Sequence, residues 1–79
     1  MTDQQVLWQQ TNAIKRQVRD AIGTELTHEV RSTNTYQCYT GLCGEVQMAY
    51  EDGELSERLV GMLAEYAQKV AELRQEDTN

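Results

Sequence analysis

The sequence predicts a mostly α fold, a small three-helix domain whose C-terminal half is an antiparallel helical hairpin. Residues 24–38 stay open between a short two-stranded β insert, which would make the fold α+β, and a helix-plus-loop. Three observations carry this. Apolar residues recur at three- and four-residue spacing along most of the 79 residues. No Pro interrupts them. Glu51-Asp52-Gly53 is a turn signal between two such stretches.

The first helix begins at Thr2-Asp3-Gln4-Gln5, a capping box in which the Thr hydroxyl takes a backbone N–H and Gln5 reaches back. Leu7, Thr11, Ile14, Val18 and Ile22 then fall on one face, with Trp8 and Ala21 at its edges and Lys15, Arg16 and Arg19 off it. Gly23 is suited to end this helix as a left-handed cap. Leu26 and Val30 continue the four-residue spacing, and one interior Gly costs only about 1 kcal/mol, so the end falls between Gly23 and Arg31.

In residues 24–38, Leu26, His28 and Val30 alternate with polar residues, as do Tyr36 and Cys38, around Ser32-Thr33-Asn34. That pattern fits a hairpin, although an isolated hairpin needs helices to pack on. From Tyr39 the helical period returns through Leu42, Cys43, Val46, Ala49 and Tyr50. Gly41 and Gly44 weaken this helix and permit close approach of another backbone. The last helix, from Glu54, carries Leu55, Leu59, Met62, Tyr66, Val70 and Leu73, widened by Leu63 and Ala67. The short turn between these two helices implies an antiparallel pair across which the first helix lies, all in one domain over residues 1–79.

The chain holds 13 acids against 7 bases, a net charge of −6. Residues 1–40 balance four bases against four acids, whereas residues 41–79 hold three bases and nine acids, so the second half carries all of it. Glu51, Asp52, Glu54 and Glu57 concentrate the charge at the hairpin tip. One reading is solubility plus matching of a helix dipole. The other is an acidic knob for a basic surface. Direct nucleic-acid binding is disfavoured, since Lys15, Arg16 and Arg19 make only a small basic footprint. Leu, Ile and Val number 15 and Phe is absent; so thin an apolar supply suits a chain that completes its core with a second copy or a partner.

Common site chemistries find little to work with. Cys38, Cys43 and the lone His28 are too few for a zinc site, and no motif orients the His towards a thiol. A Cys38–Cys43 disulfide requires the helix to start after Cys38, because five helical residues rise about 7.5 Å. There is no Gly-rich phosphate loop, nucleophile elbow or calcium loop. No cofactor or metal is expected. No apolar run approaches the length of a membrane span. The N-terminus lacks a basic-then-apolar signal pattern, so the expected location is the cytoplasm.

Leu42-Cys43-Gly44-Glu45-Val46 followed by Tyr50-Glu51-Asp52-Gly53 resembles the first metal-binding helix and turn of the MazG-type all-α nucleoside triphosphate pyrophosphohydrolases. That resemblance implies a metal-dependent nucleotide hydrolase centred on Glu45. Met48 and Ala49 stand where a further Glu is wanted; on the next helix Glu65 matches, and Gln68 replaces an Asp. In size and charge the chain is similar to phage-encoded inhibitors, anti-CRISPR proteins among them, that cover basic nucleic-acid-binding surfaces.

The expectation is therefore a non-enzymatic inhibitor or adaptor. It would dock on a basic surface of a larger nucleic-acid-handling protein through Glu51, Asp52, Glu54 and Glu57 or through Tyr36 and Tyr39, Tyr being a common interface anchor. An obligate homodimer is the alternative, and the helical hydrolase a further one.

Overall fold

A computed structural model describes residues 2–22 and 28–77. They form α1 (Asp3–Ile22), α2 (His28–Arg31), α3 (Asn34–Glu51) and α4 (Glu57–Asp77), in a body measuring 42 × 20 × 18 Å. The molecule is a small, mostly α domain. Helix α4 is the organising element. It packs against each of the other three, while α1 and α3 meet one another only sparsely.

Each helix start has a local cause. At α1 the expected capping box forms: the Gln5 N–H reaches Thr2 Oγ1 at 3.2 Å and the Thr2 N–H reaches Gln5 Oε1 at 3.0 Å. At α3, Thr33 has extended backbone, and its hydroxyl accepts the Tyr36 N–H at 3.1 Å. The same hydroxyl donates to the Val30 carbonyl at 2.7 Å, tying α2 to α3. At α4, Ser56 Oγ accepts the Leu59 N–H at 3.2 Å, so this helix begins at Glu57, three residues later than expected.

The two-stranded insert at residues 24–38 is not formed among its described residues. Residues 28–31 are α2 and residues 34–38 open α3; residues 24–27 lie outside the described residues. The reason is chemical. Ser32-Thr33-Asn34 reads equally as a hairpin turn or a helix cap, and the Thr33 hydroxyl resolves it as a cap. Tyr39, Leu42 and Val46 then share one buried face, which rewards a helix more than two short strands. Replacing Thr33 by Ala removes both hydroxyl bonds. It is expected to lower stability by about 1 kcal/mol, read as a fall in the urea midpoint at unchanged slope. Ser at this position should retain most of the effect.

The turn after α3 closes as the sequence suggests. Gly53 takes a positive φ of 74°, its N–H reaches the Tyr50 carbonyl at 3.0 Å, and the Glu54 N–H reaches the Ala49 carbonyl at 2.8 Å. This is the Schellman arrangement, in which a left-handed residue lets the last carbonyls find donors.

One core runs along α4, built on Leu55, Val60, Leu63, Ala67 and Val70 and flanked by Leu7 and Val18 of α1 and Tyr39, Leu42 and Val46 of α3. The buried seam of α4 is rotated from the expected stripe. Val60, which the stripe lacked, and Leu63 and Ala67 from its widened edge are interior together with the expected Val70, whereas Met62 is 40 % exposed and Leu59 and Tyr66 sit at the edge. A helix packed on two sides buries a face wider than one stripe, centred between its neighbours. Thr11 is buried among apolar groups, and its hydroxyl is satisfied by the Leu7 carbonyl at 2.9 Å.

Candidate functional site

The acidic end is assembled by a contact across 51 residues. Gln4 lays its side-chain amide along the backbone of Leu55: Nε2 donates to the Leu55 carbonyl at 2.8 Å, and Oε1 accepts the Leu55 N–H at 2.8 Å. This pins the start of α1 against the turn before α4. Asp3 thereby joins Glu57 around a shallow depression beside Leu55. Glu51, Asp52, Glu54 and Glu57 are all exposed, and among the described residues none of them is ion-paired. The helix dipole favours Glu57, in the first turn of α4. It does the reverse at Glu51 and Asp52, which stand at the C-terminal, electronegative end of α3. Asp3 was not legible as a member, because its place depends on Gln4 finding Leu55.

Tyr36 and Tyr39 are not part of that end. They lie about 15 residues before Glu51 on α3, a separation of roughly 20 Å along the helix. Tyr39 is in the core at 7 % exposure. Tyr36 is half-buried, its ring tilted 42° to that of Tyr39 at 6.5 Å. Burial pushes the Tyr39 hydroxyl well above the ordinary tyrosine value, and the neighbouring Cys43 thiol adds to this, so the group remains a neutral phenol at physiological pH.

What the structure places beside these tyrosines is the basic segment of α1. Helices α1 and α3 meet only sparsely, and a groove of about 530 Å³ lies between them. Val18, Tyr39 and Cys43 line its depth, and Lys15, Arg16 and Arg19 line the α1 side. Further along the α1–α3 seam the Trp8 and Tyr50 rings stack, 4.5 Å apart and within 6° of parallel. Lys15 Nζ lies 6.0 Å from the Trp8 ring. The Lys15, Arg16 and Arg19 spacing was visible in the sequence as a solvated patch; its juxtaposition with Tyr36 was not.

The remaining candidates resolve simply. Cys38 is exposed, Cys43 is half-buried, both are inside α3, and both are free thiols. A β-carbon added at Gly41 or Gly44 would meet nothing within 4 Å, so among the described residues no other backbone approaches either glycine closely. Among the described residues no three His, Cys, Asp or Glu side chains stand close enough to hold a metal ion. Among the described residues, too, no helix is long and apolar enough to cross a membrane. Compared with known proteins, the chain matches no family model, no curated protein and no solved structure.

Proposed function

We propose that this chain is a small, acidic, non-enzymatic protein-binding module, an inhibitor or adaptor that docks on a basic surface of a larger nucleic-acid-handling protein in the cytoplasm. In this reading α3 and α4 form an antiparallel hairpin whose tip, with Asp3 beside it, is the docking surface. The mode is that of the phage-encoded inhibitors, including anti-CRISPR proteins, that the chain is similar to in size and charge.

One observation supports this reading above the others. Glu51 and Asp52 crowd the electronegative end of α3 without an ion pair among the described residues. Charge placed only for solubility has no reason to gather where the helix dipole opposes it. A surface that must attract a basic partner has one, because clustered like charge focuses the field and speeds encounter.

The test separates binding from folding. Reversing Glu51 and Asp52 to Lys relieves the dipole conflict, so the melting temperature is expected to hold or to rise by about a few degrees. Partner capture from host lysate at low salt should meanwhile be lost, and the wild-type complex should dissociate as salt is raised. Capture that survives the double reversal, or that ignores salt, removes the acidic end as the docking surface.

A further inference from the structure

We propose that the groove between α1 and α3 is a second binding site, for a small anionic aromatic ligand of the nucleoside phosphate class. This does not rest on the docking role of the acidic end, whose Glu51 lies about 12 to 22 Å along α3 from the residues that line the groove.

The groove has the parts such a ligand needs. Its volume of about 530 Å³ is within the range of small-molecule sites. Lys15, Arg16 and Arg19 line one side, the Lys15 Nζ reaching towards the Trp8 ring at 6.0 Å, and none of them is ion-paired among the described residues. Arg16 has Asp20 four residues on, the spacing at which helical ion pairs form, yet the two are not paired. In a chain of net charge −6, two guanidinium groups without an ion pair among the described residues, with the Lys15 ammonium near them, favour an anion of more than one charge. Guanidinium groups supply the forked donors that phosphate oxygens take in pairs.

The other side selects a flat body. Tyr36 is half-buried and lines the groove, and base–aromatic stacking tolerates any base. Tyr39 below it is held as a neutral phenol, a donor rather than an anion that would repel phosphate. Asn12, also lining the groove, carries an amide whose paired donor and acceptor match the edge of a heterocycle. The acidic end does not defeat binding at ordinary ionic strength, since it stands beyond about one Debye length from the near edge of the groove and about two from Tyr36 at about 0.1 M salt.

The experiment is calorimetric titration of the full chain with ADP, with adenosine and with inorganic pyrophosphate, in metal-free buffer at about 0.1 M salt. ADP is expected to bind with a dissociation constant of about 0.1 mM, and adenosine and pyrophosphate each at least about tenfold more weakly, because each offers half of the recognition. R16Q/R19Q, at exposed positions, should weaken ADP at least about tenfold. Y36A should weaken it about fivefold or more. E51K/D52K should leave it unchanged, which distinguishes this site from the docking surface. K15Q serves as a second variant should R16Q/R19Q disturb the helix, checked by circular dichroism. The proposal is overturned if ADP gives no heat, if pyrophosphate binds as well as ADP, or if the variants bind ADP like the wild type. It is overturned as well if a Glu/Tyr copolymer peptide occupies the groove and ADP does not displace it, since the groove would then be a peptide site.

Discussion

Leu63→Ala is expected to destabilise the protein by about 2–5 kcal/mol. Leu63 is fully buried at 0 % exposure, in the core that α4 shares with α1 and α3, so truncation leaves a cavity there. A domain of this length has on the order of 4–12 kcal/mol of total stability, so the loss is a large share of it. The melting temperature should fall by about 10 °C or more. Met62→Ala, one residue away at a position 40 % exposed, is the control and should cost far less. The pair decides between two readings of α4. A stripe through Leu59, Met62 and Tyr66 makes Met62 the sensitive position, whereas packing on two sides makes it Leu63. Equal effects at the two positions would mean that the core does not run where α4 places it.

The second large effect is expected at Gln4. Its amide holds both the N–H and the carbonyl of Leu55, each at 2.8 Å. Gln4→Ala leaves two part-buried backbone groups without these partners, at a cost of about 1–3 kcal/mol. Gln4→Glu keeps an acceptor for the Leu55 N–H but sets a carboxylate against the Leu55 carbonyl, so it should recover little. Urea unfolding measures the loss. Hydrogen exchange locates it, since the Leu55 amide should lose protection before the amides of mid-α3. A Gln4→Ala protein as stable as the wild type would show that the start of α1 and the turn before α4 are held together by the core alone.

Much of the fold was legible because its signals are local. The capping box at Thr2 and Gln5, the turn at Glu51-Asp52-Gly53 and the apolar periods of α1 and α3 each lie within a few residues, where chain geometry dictates the outcome. Residues 28–38 were misleading for the same reason. Alternation over so few residues is compatible with either period, and what separates them is whether Tyr39, Leu42 and Val46 gain more by burial together on α4. The rotation of the α4 seam was hidden similarly, because the sequence marks which residues are apolar but not how many neighbours a helix serves. The acids Glu51, Asp52, Glu54 and Glu57 could be read as a cluster from their spacing. Asp3 joins them only through the contact of Gln4 with Leu55, and Tyr36 joins Lys15, Arg16 and Arg19 only because α1 and α3 flank one groove.

By itself, then, the sequence determined a mostly helical chain, its first cap, its acidic turn and the concentration of all net charge in its second half. Those follow from hydrogen bonds and periodicities that act over one or two turns. Only the tertiary structure decided that the tyrosines and the acids occupy different ends, that Tyr39 belongs to the core, and that a basic groove exists in an acidic protein. These depend on pairings across tens of residues, which are set by how three apolar faces share α4 and by no local preference of the chain.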